Sequence, residues 1–439
     1  MSANLELFCI FDKGDDEGAF GPRHLVNLGW RVAGEIDVDA LRGALHDVVE
    51  RNEILRTEVV RTNGDKFQRV HPASPPEVVV VDLPADDTRP RDERVDEFIN
   101  EIEYSELSVS QLPHVRAVVG RFDERDAVLV LLTHHTASDG YSMGVLIREL
   151  AAFYAERKGF GAAGLPEPVQ YKEFSSWQRE SLASAEADRC RAYWRDKLRG
   201  AQMSMFEMDQ PEGVPYGYAV HRQIYPAELS AAVQNLATGL RASPFMVLLA
   251  AFSALRHKIT GETDVVTPIL TSGRAEMRFA EVVGPFFNLV PLRTDLGDCP
   301  SFAALVHRTR ATCLEAYANE LPFADIAAEA PELNKPYAVG NLAACAFQSF
   351  QFPDTMDETT VGGLTYTEVR RRVQSCQDTS EIPNGIVFTL DLLPSGEIAA
   401  HARYSKADFL ETTIEKLVGD YREILALATT NPTIALRDL

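Results

Sequence analysis

Residues 131–140, Leu-Leu-Thr-His-His-Thr-Ala-Ser-Asp-Gly, combine residue types that move protons and stabilise oxyanions. The imidazole of His134 or His135 is suited to general-base catalysis, because its ordinary pKa of about 6.5 leaves much of it neutral. Asp139 is placed to orient such an imidazole, as in a catalytic triad. Gly140 lets the backbone approach a ligand, and its N–H is a possible oxyanion donor. The alternative for Gly140 is an ordinary helix-start glycine.

A strand and a helix are predicted on either side of these residues. Residues 126–133 (DAVLVLLT) are apolar enough for a strand buried on both faces. From Tyr141 onward, apolar residues recur at helical spacing. The histidines therefore lie in a strand-to-helix connection, where catalytic groups project from a rigid scaffold. Neighbouring side chains near a strand end point in different directions, so one histidine is expected to face the reaction centre.

Two other kinds of chemistry fit the same residues. Residues 140–144 match G-x-S-x-G, the nucleophile elbow of α/β-hydrolases, with Ser142 as the nucleophile. An elbow serine stands at the tip of its strand, whereas six residues separate this strand from the first glycine of the match. Ser142 is therefore predicted to lie in the first turn of a helix. A metal site at His134, His135 and Asp139 lacks any spacing signal for further ligands, and we predict no metal.

The chain is predicted to contain two related α/β halves, since 439 residues exceed one ordinary core. A strand that starts at His24 precedes Asp37, a plausible N-cap, and a helix over residues 38–52. A second strand over 219–225 precedes a turn at Pro226 and another helix. This repeated strand-then-helix opening suggests two halves of one plan.

The boundary between the halves is expected near residue 178. It gives an N-terminal half of residues 1–178, which carries the histidines, and a C-terminal half of residues 179–439. Residues 352–384 are polar and poorly periodic, and they are predicted to form a hairpin or a crossing loop between the halves. Within them, the run Arg370-Arg371-Arg372 predicts a solvated face, with contact to an acidic carrier as the alternative.

The composition argues against several classes of partner and location. A formal net charge of −22 argues against nucleic acid or an anionic membrane as a partner. The N-terminus lacks the basic segment and apolar core of a signal peptide, and no apolar run approaches the ~18 residues of a membrane span. The six cysteines are scattered without paired spacing, so we expect reduced thiols in a cytoplasmic protein.

Several further segments complete a family pattern around the His-His-x-x-x-Asp-Gly array. In chain order they are residues 51–57 (RNEILRT), residues 170–177 with Tyr193-Trp194, residues 271–274 (TSGR), residues 283–293 (VGPFFNLVPLR) and Leu321-Pro322-Phe323. With the array, they resemble the condensation-domain superfamily of acyltransferases over about residues 24–439. Asn52 replaces the usual histidine of the first segment. The resemblance implies two chloramphenicol-acetyltransferase-like halves that form a V, with the active site in the cleft.

The resemblance also assigns roles to individual residues. It implies that His135 faces the reaction centre and that His134 packs or hydrogen bonds beneath it. It implies that Asp139 pairs with Arg274 across the halves, and this structural role is favoured over the triad-like one. Breaking such a buried pair costs about 3–5 kcal/mol.

Two polar residues in apolar runs, Asn288 and Gln348, are predicted either to line a substrate tunnel or to satisfy buried backbone groups. One region departs from the family pattern: residues 4–21 do not match the Ser-x-Ala-Gln motif that usually opens such domains, so a remodelled entry is expected.

The implied activity is acyl transfer, which condenses a thioester-bound acyl or aminoacyl group with an amine or hydroxyl to give an amide or ester. The sequence shows no adenylation segment and no Gly-x-Asp-Ser attachment site, so the donor is expected on the phosphopantetheine arm of a separate acyl or peptidyl carrier protein. A small molecule is the expected acceptor, and no covalently bound cofactor is expected. Nonribosomal peptide synthesis of an antibiotic or other secondary metabolite is the implied setting. The alternatives are an acyl-coenzyme A-dependent acyltransferase making a lipid or polyketide ester, an epimerisation domain and a non-catalytic recruitment module.

Overall fold

The computed structural model describes residues 1–62, 65–84, 88–210, 213–349, 355–382 and 385–439. The strands are β1 (Leu25–Ala33), β2 (Thr57–Thr62), β3 (Asp65–Val70), β4 (Glu77–Asp82), β5 (Val115–Asp123), β6 (Asp126–His134), β7 (Met205–Glu207), β8 (Tyr218–Tyr225), β9 (Asp264–Thr271), β10 (Asn288–Asp295), β11 (Leu342–Gln348), β12 (Thr359–Val361), β13 (Leu364–Glu368), β14 (Ile386–Leu392) and β15 (Ile398–Ser405). The helices are α1 (Ala3–Phe8), α2 (Val38–Arg51), α3 (Arg91–Glu103), α4 (Gly140–Arg157), α5 (Tyr171–Leu182), α6 (Ala185–Lys197), α7 (Ala227–Gly239), α8 (Pro244–Thr260), α9 (Phe302–Ala318), α10 (Phe323–Glu329) and α11 (Glu411–Thr430).

Two mixed sheets organise these elements, one in each half. The first sheet has the strand order β12-β13-β1-β6-β5-β4. The second has the order β10-β9-β11-β14-β15-β8, and β7 pairs with β11 beside it. Helices accompany both sheets, so the predicted α/β architecture in two halves is confirmed.

Strand β6 lies inside the first sheet, between β1 and β5, and is antiparallel to both. The odd-numbered side chains of residues 127–131 pack in the core with α2 and α4, and the even-numbered side chains of residues 128–132 pack against α3. The strand predicted over residues 126–133 and buried on both faces is therefore confirmed. It ends at His134, opposite Leu25 of β1.

Side-chain caps fix where the two helices of the first core begin. Helix α2 starts at Val38, because Asp37 accepts hydrogen bonds from two first-turn N–H groups at 3.0 and 3.1 Å. Helix α4 starts at Gly140, where Asp139 accepts one from the N–H of Ser142 at 2.8 Å. Both helices were predicted from the sequence and are confirmed.

The second sheet has one face toward its helices and one toward the first half. Strand β15 shows this alternation clearly: the even-numbered side chains of residues 398–404 are at most 2% exposed and belong to the core built with α7, α8, α9 and α11. The odd-numbered residues 401 and 403 line a cavity on the other face. The predicted strand over 219–225 and the helix after Pro226 are confirmed as β8 and α7.

A hairpin from the C-terminal part of the chain completes the first sheet. Strands β12 and β13 pair with each other, and β13 pairs antiparallel with β1, where Trp30 lies opposite Glu368. The indole N–H of Trp30 donates to the carbonyl of Thr355 at 2.7 Å. This confirms the predicted hairpin within 352–384, although residues 352–354 and 383–384 lie outside the described residues. The boundary at residue 178 stays a prediction, and the crossing hairpin shows that the C-terminal part of the chain contributes two strands to the first sheet.

None of the described helices is by itself long and apolar enough to cross a bilayer. Helices α7 and α8 reach that composition only as a pair, and the pair bends by 104° at the break between them.

Candidate active site

His135 lies in the loop between β6 and α4 and presents one ring nitrogen to a cavity. Its Nδ1–H donates to the carbonyl of Ser138 at 2.8 Å, and its backbone N–H donates to the carbonyl of His24 at 3.0 Å. The ring packs between Phe287, His24 and Phe8, with centroid distances of 4.7, 4.8 and 5.7 Å. Because Nδ1 carries the proton, Nε2 holds a lone pair, and none of the described residues forms a hydrogen bond with it. The imidazole is therefore oriented as a base.

The surroundings of His135 keep it neutral. Burial lowers its pKa below 6.5, and the hydrogen bond to Ser138 and the charge of Asp139 oppose this only in part. Burial and the charge of His135 lower the pKa of the neighbouring His24 to about 3. The Nδ1 of His24 bonds to the carbonyl of Ala19 at 2.9 Å. The rings of His24 and His135 are therefore both neutral at physiological pH. A neutral ring is what His135 needs in order to act as a general base.

His134 lies beneath its neighbour and is fully buried. Its Nε2–H donates to the carbonyl of Gly21 at 3.0 Å. Its Nδ1 accepts from the backbone N–H and the hydroxyl of Thr136, at 3.2 and 2.8 Å. Burial lowers the pKa of His134 well below 6.5. Since both ring nitrogens bond inside the protein, His134 has none left for a substrate.

Asp139 and Arg274 meet in a buried ion pair between the halves, with 3.2 Å between Oδ1 and Nη2. The side chains are 5% and 3% exposed. Oδ1 also caps α4 through Ser142, and Oδ2 accepts from the backbone N–H of Phe286 at 2.9 Å. The guanidinium lies over the rings of Phe286 and Tyr141, 3.9 and 4.4 Å from their centroids. Asp139 thus directs both oxygens away from the imidazole and joins the halves.

Gly273 allows the turn that delivers this arginine. Its φ is +62°, and a Cβ there would lie 1.8 Å from the carbonyl oxygen of Phe286, so no larger residue fits. From this turn, Nη1 of Arg274 donates to the carbonyls of Phe279 and Val282 at 3.0 and 2.8 Å. The Gly-Arg element therefore fixes the loop that faces helix α4.

Ser142 is locked into the same interface. Its hydroxyl donates to the carbonyl of Gly284 at 2.9 Å. It accepts from Arg274 at 2.7 Å and from the N–H of Gly284 at 3.1 Å. The side chain is fully buried in the first turn of α4. Among the described residues, no histidine forms a hydrogen bond with its hydroxyl. This geometry does not provide the base that an elbow serine needs.

A cavity of about 400 Å³ lies between the two sheets, a volume suited to a small ligand. Strand β1 and helix α3 line it from the first half, and β8, β9, β11, β14 and β15 line it from the second. His135, Asp139 and Gly140 are exposed to it on one side. Gln348, on β11, lines the cavity from the second half and donates to the hydroxyl of Thr389 at 2.6 Å.

Asn288 lies at the edge of this cavity, between the lining residues Phe287 and Leu289. Its amide nitrogen donates to the carbonyl of Leu321 at 2.8 Å and to Glu320 at 3.1 Å. Its oxygen accepts from the backbone N–H of Phe323 at 3.0 Å. Asn288 is not among the described residues that line the cavity. Of the two roles considered for Asn288, its contacts correspond to the satisfaction of buried backbone groups.

A cluster of buried charges joins α3 to the second half. Arg372 pairs with Asp96 at 2.8 Å and with Glu103 at 2.5 Å, and Arg222 pairs with Glu103 at 2.9 Å. Burial acts to raise the pKa of Glu103, but the two guanidinium groups outweigh it and hold that pKa far below its usual range. The solvated face predicted for the run of three arginines is wrong for Arg372, which is 8% exposed. Its partners lie on α3, far away in the sequence, so the residues next to Arg372 do not indicate that it is buried.

Helix α1 contributes to the site and was not predicted. Phe8 packs edge-on against His135, with 5.7 Å between ring centroids. Asn4 donates to the carbonyls of Phe286 and Phe287 at 2.7 and 2.9 Å. This helix occupies the region where the family's opening motif is missing. Its six residues are too few for a periodic pattern, and only the mismatch itself marked the region as unusual.

Other sites of chemistry are sparse. Among the described residues, no group of three or more His, Cys, Asp or Glu side chains is placed to hold a metal ion. A second cavity of about 950 Å³ lies in the second half, lined by β7 and α11 among others. It contains none of the predicted site residues.

The sequence model of the condensation-domain family matches residues 25–439. Among solved structures, the chain is similar to the SgcC5 protein of Streptomyces globisporus, solved in complex with (R)-(-)-1-(2-naphthyl)-1,2-ethanediol and sucrose. The two share 40% identity and a TM-score of 0.95, and the match covers 99% of each chain.

The chain is also 30% identical over 417 residues to a linear gramicidin synthase from Brevibacillus parabrevis. This match covers 93% of the chain but 8% of the synthase, so the chain spans a small part of that relative. The first condensation domain of the calcium-dependent antibiotic synthetase shares the fold, with a TM-score of 0.79 at 17% identity over 100% of this chain and 98% of that one.

Proposed function

This chain belongs to the condensation-domain family, and on that premise we propose that it joins a carrier-tethered acyl or aminoacyl thioester to an amine or hydroxyl acceptor. Condensation domains of nonribosomal peptide synthetases work with carrier domains that bear phosphopantetheine, and relatives of the chain include such antibiotic synthetases. The observation that carries the proposal is the neutral His135, whose Nε2 is left unbonded beside a cavity that both halves line.

In the proposed step, Nε2 of His135 takes the proton of the acceptor's N–H or O–H as that atom attacks the thioester carbonyl carbon. The new C–N or C–O bond forms first, and the C–S bond then breaks. The imidazolium gives the proton to the departing thiolate, which leaves as a thiol, so His135 ends the cycle neutral. Its low pKa favours this return.

The oxyanion of the tetrahedral intermediate needs a donor near His135. The backbone N–H of Gly140, in the first position of α4, lies at the cavity and carries the partial positive charge of the helix N-terminus. Asp139 serves here as a positioning residue, because it caps α4 and holds the second half through Arg274.

A hydroxyl acceptor with an apolar body is favoured by the similarity to SgcC5. That protein was solved with an aryl-1,2-ethanediol, and this chain is 40% identical to it. The cavity of this chain offers Phe8 and Phe287 next to His135, and aromatic rings of this kind pack against an aryl group. An ester product is therefore proposed ahead of an amide.

Intact-mass analysis of acyl-carrier proteins tests the proposal. The acyl group should leave a holo-carrier only when both the protein and an acceptor such as 1-(2-naphthyl)-1,2-ethanediol are present, and the ester should appear in equal amount. Equal rates with acyl-coenzyme A would identify the coenzyme A-dependent alternative. Because inversion of an aminoacyl group leaves the mass unchanged, chiral analysis of the amino acid released from the carrier is added, and inversion without an acceptor would identify an epimerase. Carriers that keep both their acyl group and its configuration with every acceptor would identify the recruitment module.

A further inference from the structure

The cavity face of β15 carries an arginine that has no partner. Arg403 alternates with the core residues of this strand and lines the cavity opposite the first half. It is partly exposed, and its Nε is buried without a hydrogen bond. Within the described part of the chain, no carboxylate or carbonyl lies in hydrogen-bond or ion-pair contact with its guanidinium. It therefore differs from Arg222 and Arg372, which are both paired.

The charged side chains around Arg403 include one more arginine than carboxylate. The guanidinium groups of Arg222, Arg372 and Arg403 share two carboxylates, those of Asp96 and Glu103. Glu103 bonds directly to Arg222 and Arg372, and Asp96 bonds directly to Arg372. Arg403 interacts with Glu103 only at longer range, and it also feels the repulsion of its two neighbours. Since a guanidinium stays protonated in proteins, these three arginines and two carboxylates together carry one excess positive charge, while Glu381 and Asp391 line other parts of the cavity.

An unpaired, largely desolvated charge is unfavourable for folding unless something else binds it. Its position suggests what does. Arg403 lines the same cavity as His24 and His135. Burial is the main cause of the lowered pKa of these two histidines, and the charge of Arg403 lowers both pKa values further.

We propose that Arg403 binds a carboxylate carried by one of the two substrates. The inference rests on the proposed function only in treating the cavity as the place where substrates bind. A planar guanidinium matches a carboxylate through two parallel hydrogen bonds, which a neutral amide cannot form. The phosphate of a phosphopantetheine arm is a poor candidate, because it lies at the far end of the arm from the thioester.

Binding of a matched pair of ligands tests this inference without any carrier protein. The probes are 2-naphthylacetate and 2-naphthylacetamide, which differ in the carboxylate alone, measured by titration calorimetry. The wild-type protein should bind the carboxylate about tenfold or more tightly than the amide. Arg403→Gln should bind both equally, with affinity for the amide unchanged. Arg371→Gln is the control, because Arg371 is 55% exposed, pairs with Glu397 and does not line the cavity.

Thermal unfolding separates a binding role from a structural one. Because Arg403→Gln removes an unpaired charge and leaves Glu103 with two arginines, its Tm should equal or exceed that of the wild type. Equal wild-type affinity for the two probes would overturn the inference, as would a preference retained by Arg403→Gln. A lower Tm together with weaker binding of the amide would show a structural role instead. His135→Ala should keep the preference while it loses acyl transfer. Absence of acyl transfer by the wild-type protein, with the preference for the carboxylate probe intact, would refute the proposed function alone, because the probes test the cavity without any carrier protein.

Discussion

The buried pair of Asp139 and Arg274 gives the most quantitative prediction, because each of its contacts can be removed separately. Asp139→Asn removes the charge but keeps an oxygen that can cap α4 through Ser142. Asp139→Ala removes the charge, the cap and the acceptor for the N–H of Phe286. Arg274→Met removes the guanidinium and keeps much of its apolar length.

The expected free energies of unfolding follow from these contacts. Loss of one partner leaves the other charge buried at 3–5% side-chain exposure, which costs about 3–5 kcal/mol in either single variant. Asp139→Ala should cost about 1 kcal/mol more than Asp139→Asn, because the cap is also lost. The double variant Asp139→Asn/Arg274→Met leaves neither charge alone. It should therefore be less destabilised than the sum of the single changes by about 2 kcal/mol.

Urea unfolding of the four proteins measures this coupling, and the exposed cross-half pair of Arg148 and Glu281 provides the control. That pair is 25% and 66% exposed, so its double-mutant cycle should give a coupling below about 1 kcal/mol. Additive losses for Asp139 and Arg274 would refute the reasoning, since they would mean that the two charges do not interact. A coupling as small as that of the control pair would do the same.

Three further predictions concern protonation and nucleophiles. His24 and His114 have pKa values lowered by burial to about 3 and about 4, so the unfolded chain binds more protons below pH 6.5. In chemical denaturation, the free energy of unfolding should fall by about 2 kcal/mol for each of these histidines as the pH drops from 7 to 5. His24→Gln should remove the part of this fall that comes from His24. A free energy of unfolding that does not change with pH would contradict the prediction. The acidic limb of kcat/KM for acyl transfer should lie below pH 6.5, because the pKa of His135 is lowered and its base form is the active one; a limb above pH 7 contradicts it. Ser142→Ala should lose about 1–3 kcal/mol of stability but keep acyl transfer, and a fluorophosphonate probe should leave the wild type unlabelled; stoichiometric labelling of Ser142 would restore the hydrolase interpretation.

Local patterns in the sequence were enough to predict the elements that hold the histidines. The apolar run before His134 predicted a strand buried on both faces, and Asp37 marked the start of α2 through its capping chemistry. The family pattern added Arg274, which no local signal connects with Asp139 across 135 positions of sequence. The family pattern therefore supplied a contact between residues that are far apart in the sequence.

The remaining features depend on tertiary contacts that a sequence does not display. Arg372 stands in a run of three arginines and looks solvated, yet α3 supplies it with two carboxylates. Arg403 lies on an alternating strand, and the pattern alone cannot tell whether the polar face meets water or a cavity. Asn288 reads as a polar residue in an apolar run, and only the structure shows that it holds the segment before α10.

The central claim is that His135 is the base for acyl transfer, and single-turnover transfer from an acyl-loaded holo-carrier tests it most directly. We predict that His135→Ala folds with a Tm close to that of the wild type and transfers about 10²–10⁴-fold more slowly. His46→Ala serves as the control, because His46 lies on α2 beside Glu50 and outside the cavity; it should transfer at the wild-type rate. Transfer by a folded His135→Ala protein at the rate of that control would contradict the assignment of His135 as the base.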